Sequence, residues 1–591
     1  MNPSPQSTNL ADLRARWIAA WPHALALWSK FTRLSDPRWC LTAADAKREE
    51  LTESFAMIRL VDQAVVIDLE DIQSRQLEDY ALEILAHEIG HHVLCPADLT
   101  DNARMLARMR RGLPGKEQLA PLIANLYADL MVNDRLQRSA RLRVAEVYQV
   151  IAQDTADPLW LLYMRIYEIL WWLPRRTLAR GKVDDRLEGD AQLGARLVRS
   201  YAQDWLRGAG SFAALCLPYV LTDASPDLLK VLRALRDMAQ AGKGGMPGGL
   251  TEIGEGEEDA AIHPSLDPIL TGEAESGGIS TSPPVDVERP LGSIAQYREP
   301  FEYGAILRAL GLDLTDHEIA VRYYRERAAP YLVPFPTRVM PESVEPLPEG
   351  LEPWDIGSPL EAADWNESVM ISPHVVPGMT TVQRVWGTTQ GSTPVREPLD
   401  LDLYVDSSGS MPNPQHDVSY AALAGAIITL SAVRVGSRVQ ATLWSGARQF
   451  QTTNGFIEEE HRLLEVLTGY IGGGTAFPIH VLRETYDQRT DTDRPTHILI
   501  VSDSGVTTLF DADEKGGSGW AVAREALAKS RGGGTMVLNL PATYKDPALE
   551  RAHREGWMVS RVTTSEELLD FARSFSARTF GEVATPPVPG R

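Results

Sequence analysis

Cysteine is scarce in this sequence. The three present, Cys40, Cys95 and Cys216, are odd in number and widely spaced. Such a set supports no disulfide framework and fits a reducing compartment, so the cytoplasm is the expected location. Basic residues are outnumbered as well, with 58 Lys and Arg against 80 Asp and Glu and a formal charge of -22. A chain of that sign gains no counterion release from a phosphate backbone, and nucleic acid is not an expected partner. Long hydrophobic runs are also missing. The most apolar stretch, Leu159 to Leu173, falls short of the about 20 residues that cross a bilayer. It also carries Arg165 and Glu168, so it reads as a buried core helix, and no membrane partner is expected. The opening MNPSPQSTNLADLRARW lacks the basic start and apolar stretch of a secretory signal. No internal repeat is visible, and the nearest string to a phosphate-binding Walker loop, GLPGKEQ, lacks both the spacing and the hydroxyl residue after Lys116. The chain is not expected to hydrolyse ATP by itself.

What remains is material for real cores: 44% apolar and 23% charged residues in a chain of 591, a length that predicts roughly three or four units. Residues 1–240 read as mainly helical, with one small β hairpin, Phe55 to Leu60 and Ala64 to Leu69, around Asp62 and Gln63. Residues 241–295 turn to Gly, Pro, Ser and acid and read as a disordered acidic linker. Residues 296–398 hold a helical segment, Glu302 to Ala329, with Thr315 and Glu318 spaced as a capping box, and then a Pro-rich connector. From 399 to 577 short apolar strands alternate with helices, the pattern of an α/β doubly wound parallel sheet, and 578–591 form a tail.

Two strings carry chemistry. The first, HEIGHH, sits inside a strongly helical run from Gln76 to Leu94. His87 and His91 stand four apart, hence one turn apart on one face, where two imidazoles can share one tetrahedral zinc. Glu88 lies beside them as a general base for water attacking a carbonyl. A catalytic zinc needs a third protein ligand, and Asp129 is the best donor. With Asn125 and Asn133 it makes a polar stripe on an otherwise apolar helix, which suits a ligand with supporting partners. Cys95 is a rival soft ligand, but Pro96 ends the helix there and a buried structural thiol is expected. His92 is expected to point elsewhere.

At these residues the sequence resembles bacterial metallopeptidase-like proteins fused to von Willebrand factor A (VWA) domains, in which HExxH is followed by N-x-x-x-D-x-x-x-N. His87, Glu88 and His91, then Asn125, Asp129 and Asn133, match that pattern. The resemblance implies a minimal zincin domain with Zn²⁺ on His87, His91 and Asp129 and with Glu88 as the catalytic residue.

The second string, Asp406-Ser407-Ser408-Gly409-Ser410, follows the apolar strand LDLDLYV and so falls at the C-terminal edge of the sheet, where such sheets bind ligands. Oxygen donors without thiol or imidazole suit a hard cation. The string resembles the DxSxS signature of VWA domains. The resemblance implies a Rossmann-like fold with a metal-ion-dependent adhesion site, completed by Thr475 in IGGGTAFP and Asp503 after the strand Ile498 to Val501. It implies Mg²⁺ there, or Mn²⁺ or Ca²⁺, with an open position for an acidic residue of a protein partner or substrate. A second GGGT, ending at Thr535, runs straight into a later strand and is set aside. VWA proteins of this bacterial type work with MoxR-type AAA+ ATPases, so a separate ATPase partner and a role in a bacterial conflict or defence system are implied. The function expected is a zinc metallopeptidase with a partner-docking VWA domain. The alternative is a non-enzymatic, chelatase-like adaptor of an AAA+ ATPase with a structural or inactive zinc site.

Overall fold

The structure, a computed structural model, describes residues 10–581 apart from 52–53, 152–156, 222–237, 240–244, 258, 260, 272–295, 334–343, 391–397, 491–492 and 542. The chain divides into two units, Met1–Glu326 with Gln415–Asp417, and Arg327–Pro414 with Val418–Arg591.

Unit 1 runs α1 (Leu10–Trp28), β1 (Arg38–Cys40), α2 (Ala43–Arg48), β2 (Ala56–Arg59), β3 (Ala64–Asp68), α3 (Leu69–Ser74), α4 (Ala81–Val93), α5 (Leu99–Arg111), α6 (Ala120–Arg138), α7 (Val144–Ile151), α8 (Pro158–Leu170), α9 (Asp185–Ser200), α10 (Trp205–Val220) and β4 (Met238–Ala239). The predicted hairpin is β2 and β3, antiparallel with Arg59 opposite Ala64, in a small sheet of order β1-β3-β2-β4. The short flanking strands β1 and β4 were not legible as periodic runs.

Helix α4 lies in the middle of this unit because its neighbours come unusually close. A Cβ on Gly90 would stand 2.3 Å from Val132 Cγ1 of α6 and 2.7 Å from Trp28 Cζ2 of α1. Only glycine permits both contacts, and overpacking at such a place costs about 1–3 kcal/mol. Trp28 Nε1 also donates to the Ala86 carbonyl at 2.7 Å, locking α1 to the same turn. The apolar run is α8, buried along nearly its whole length, with its two charges satisfied internally. Arg165 pairs with Glu168 at 2.8 Å and Glu188 at 2.9 Å, and Glu168 accepts from the backbone N–H groups of Leu178 and Ala179 at 2.8 and 2.9 Å. Among the described residues no helix is long and apolar enough to cross a membrane.

The segment read as a disordered linker departs from that expectation where it is described. Arg108 donates to the carbonyls of Gly256 and Glu255 at 2.6 and 2.8 Å, and Arg298 to those of Leu250 and Glu252 at 2.6 and 2.7 Å. Tyr201 donates to Asp267 at 2.7 Å, and Arg196 to the Leu270 carbonyl at 2.7 Å. The stretch has few apolar side chains, but arginines elsewhere hold its backbone, an interaction that hydropathy does not register. The rest of that reading, 241–244, 258, 260 and 272–295, lies outside the described residues. The capping box beyond it is formed, with Thr315 Oγ1 and N donating to Glu318 Oε2, both at 2.9 Å. It starts the second of two helices, Pro300–Ala309 and Asp316–Ala328, where one helical segment was expected.

Unit 2 is a six-stranded sheet of order β12-β11-β10-β7-β8-β9, built from β7 (Asp400–Asp406), β8 (Val439–Trp444), β9 (Phe450–Thr452), β10 (Thr496–Ser502), β11 (Arg531–Asn539) and β12 (Met558–Val562). All pairs are parallel except β8 with β9. Strand order reverses between β7 and β10, so their C-terminal ends frame a crevice. Part of the Pro-rich connector also pairs, as β5 (Val344–Pro353) against β6 (Val382–Gln390). Prolines are tolerated there because each strand of a two-stranded ribbon has a free edge on which no N–H is needed. Residues 334–343 and 391–397 of the connector, and 582–591 of the tail, lie outside the described residues, while 578–581 continue the last helix, Ser565–Gly581.

Candidate metal centres

In unit 1 the ring Nε2 atoms of His87 and His91 lie 3.2 Å apart, and Asp129 Oδ1 lies 3.8 and 3.5 Å from them. This is the one group of three or more His, Cys, Asp or Glu side chains gathered closely enough to hold an ion among the described residues. Each donor is fixed from behind. His91 Nδ1 stands 2.8 Å from the Cys95 carbonyl, and His87 Nδ1 stands 2.7 Å from Asn133 Oδ1. Carbonyl oxygens only accept, so both Nδ1 atoms carry the hydrogen and both Nε2 atoms present lone pairs. Asp129 Oδ2 accepts from Asn125 Nδ2 at 3.2 Å and from the Tyr163 hydroxyl at 3.3 Å, which turns Oδ1 toward the rings.

Three lone-pair donors thus converge where their mutual repulsion favours a cation. A tetrahedral zinc with bonds of about 2.0–2.1 Å spaces its ligand atoms about 3.3 Å apart, close to the distances here. The donor set fits the metal that the sequence suggested. Cys95 meets His91 through its carbonyl, and its sulfur is not among the gathered donors; burial pushes its thiol well above the usual range. His92 turns away and meets Gln63 Oε1 at 2.7 Å, holding the β2–β3 turn.

Sequence reading missed the layer behind these ligands. Asn133 Nδ2 donates to the hydroxyls of Tyr148 and Tyr167 at 3.1 and 2.9 Å, and Tyr163 lies 2.9 Å from Tyr167. Burial raises the Tyr163 and Tyr167 hydroxyls far above their ordinary range, so both stay protonated and able to donate. Tyrosines four apart on an apolar helix read as core, and nothing in their spacing marks them otherwise. A cleft opens over the cluster, lined by His87, Glu88 and Asp129 together with the apolar Phe55, Val144 and Val147. Glu88 is 1% exposed and reaches this cleft.

In unit 2 all five expected positions gather at the C-terminal ends of β7 and β10. Asp406 Oδ1 accepts from Ser408 N at 2.8 Å and Oδ2 from Ser502 Oγ at 2.6 Å. Ser410 Oγ donates to Asp503 Oδ2 at 2.8 Å and lies 3.2 Å from Ser408 Oγ. Thr475 arrives on a loop tied to the first one: Ser407 Oγ accepts from Ile471 N at 3.1 Å, and Gly409 N donates to the Gly473 carbonyl at 3.0 Å. A Cβ on Gly505 would stand 2.2 Å from Thr475 Cγ2 and 3.1 Å from Asp503 Oδ1, which shows how tightly the two loops meet. Burial raises the Asp406 carboxyl above its ordinary range, and the charge of Asp503 adds to that. Oxygen donors beside two carboxylates fit a hard divalent cation. Ser502, placed in the strand before Asp503, was not anticipated. The second GGGT lies elsewhere, with Thr535 inside β11 against His497 Nε2 at 2.9 Å.

No protein-family model matches the chain and no curated protein matches it. Among solved structures it is similar to a von Willebrand factor type A protein from Catenulispora acidiphila, at 14% identity and a TM-score of 0.21. That likeness covers 33% of this chain and 44% of the other, so the chain spans less than half the length of that structure.

Proposed function

We propose that unit 1 is a zinc-dependent peptidase, with His87, His91 and Asp129 as ligands and Glu88 as general base, and that unit 2 is a VWA domain that docks an acidic group of a protein through a divalent cation. The observation that carries the first part is the pair of Nε2 lone pairs facing each other at 3.2 Å with a carboxylate oxygen beside them. Three protein donors beside an open cleft suit a catalytic site better than the closed set of four that structural zinc prefers.

A zinc ion there supplies electrophilic polarisation of the scissile carbonyl and of the attacking water. The chain does the rest. Glu88 takes a proton from the water and returns it to the departing nitrogen. The peptide C–N bond breaks, the water oxygen joins the carbonyl carbon, and a carboxylate and an ammonium leave. Asn133 and the Cys95 carbonyl keep both imidazoles in the tautomer that offers Nε2. Asn125 and Tyr163 hold Asp129 by its other oxygen.

A carboxylate beside the candidate ligands that also lines the cleft favours the enzyme over the adaptor reading. The MoxR-type ATPase is the partner implied by the resemblance, and Mg²⁺-dependent co-purification with such an ATPase tests it. For the enzyme, purified protein should hold about one zinc per chain by elemental analysis. Glu88→Gln should keep that zinc while cleavage falls by about 10²- to 10⁴-fold. Protein that takes up no zinc would sink the reading.

A further inference from the structure

Glu83 stands one turn before His87 on α4, lines the same cleft and is 4% exposed. Its two oxygens are used unequally. Oε1 accepts from the backbone N and the Nε of Arg143, at 3.3 and 3.1 Å, and so ties the start of α7 to α4. Oε2 is buried and has no hydrogen-bond partner among the described residues. A structural role accounts for Oε1 alone. Leaving a buried acceptor of a charged group unmet is costly, so a fold that keeps one at the rim of a candidate site suits a donor that arrives from outside.

The rest of the cleft says what kind of donor. Its described lining contains no Lys or Arg, so nothing in it receives the carboxylate of a peptide C-terminus, whereas Glu83, Glu88 and Asp129 favour a cation. Much of the remaining lining is apolar, with Phe55, Ile84, Val144, Val147 and Ile151. Side chains four apart on a helix lie about 5–6 Å from each other at Cβ. An amine on Glu83 therefore leaves the carbonyl of the same residue beside His87.

We propose that Glu83 binds the free amino terminus of a peptide whose first side chain is large and apolar, making unit 1 selective for removal of an N-terminal apolar residue. This rests on the peptidase reading above. Hydrolysis is then of the first peptide bond, with water supplying the hydroxyl to the carbonyl carbon and a proton to the leaving amine.

Titration of the full zinc-loaded chain with three hydroxamates tests it. Acetohydroxamate needs the metal alone, leucine hydroxamate adds an apolar side chain and a free amine, and N-acetyl-leucine hydroxamate removes only the amine. Leucine hydroxamate should bind about tenfold tighter than its acetylated form, the worth of a charge-assisted contact. Glu83→Gln should erase that difference while acetohydroxamate binds as before. Glu83→Asp, which keeps the charge on a shorter stem, should retain part of it, should the amide variant not fold. Equal affinities for the two leucine compounds, or a preference that survives Glu83→Gln, overturn the assignment. If the zinc-loaded chain does not bind even acetohydroxamate, the metal centre itself fails as a substrate site and takes the inference with it.

Discussion

The donors of unit 1 are two imidazoles and a carboxylate on α4 and α6, helices so close that only Gly90 fits between Val132 and Trp28. Each donor has a neighbour fixing its unused atom, and behind them lies a layer of buried tyrosines. The donors of unit 2 are hydroxyls and carboxylates on three loops at a sheet edge, with Ser410 and Thr475 exposed. One site is set into a core and the other stands at a rim. The difference teaches that rigidity and access are separated in this chain. A borderline metal held for chemistry needs fixed rings, whereas a hard cation that must accept a partner's carboxylate needs an open coordination position.

That contrast can be broken most directly by deleting one donor from each site. His91→Ala should remove stoichiometric zinc and abolish cleavage, leaving a cavity at a fully buried position of the α4–α6 interface, as read by elemental analysis and thermal unfolding. Asp406→Ala should leave unit 2 folded, with Mg²⁺-dependent partner binding lost. Unfolding of unit 2 on that change would show that its site is structural after all.

Acid should separate the units next. Unit 1 should release its metal as the ligands take up protons. Unit 2 answers through His497, far from its site: burial lowers that imidazole from 6.5 to about 4, against a hydrogen bond to the Gly532 carbonyl that works the other way. Because the folded state favours the neutral ring, the stability it contributes is complete above pH 6.5 and is lost between 6.5 and 4. The loss amounts to about 3 kcal/mol. Thermal melts of unit 2 across that window should show the decline, and His497→Gln should flatten it.

The smallest effect expected is from the supporting layer. Asn133→Leu keeps every ligand but frees the His87 ring, and zinc affinity should fall by about 10- to 100-fold in a chelator competition. An unchanged affinity would mean that the helices alone set the geometry.

The sequence made the candidate site residues legible because their chemistry coincides with helical or strand spacing: His87 and His91 one turn apart, Asn125, Asp129 and Asn133 along one face, and Asp406 at the end of an apolar strand. The alternation of strands and helices was legible for the same reason. What escaped was whatever depends on meetings across the fold. Tyr148, Tyr163 and Tyr167 have an apolar periodicity and a polar duty. Glu83 was not singled out in the sequence, and only the fold brings Arg143 against it. The described part of the acidic stretch relies on Arg108 and Arg298 gripping its carbonyls, and β5 carries prolines that argue against a strand unless the strand is at an edge.

Asp406 has one further consequence. Both of its oxygens are already engaged, by the Ser408 amide and the Ser502 hydroxyl. Each oxygen still keeps a lone pair, so a guest ion would meet a carboxylate already held in place, one that offers a ligand atom and negative charge beside the serine and threonine oxygens. Asp406→Asn would then leave the cradle's shape intact and dim its attraction, so that the grip of the rim could be tuned through charge alone.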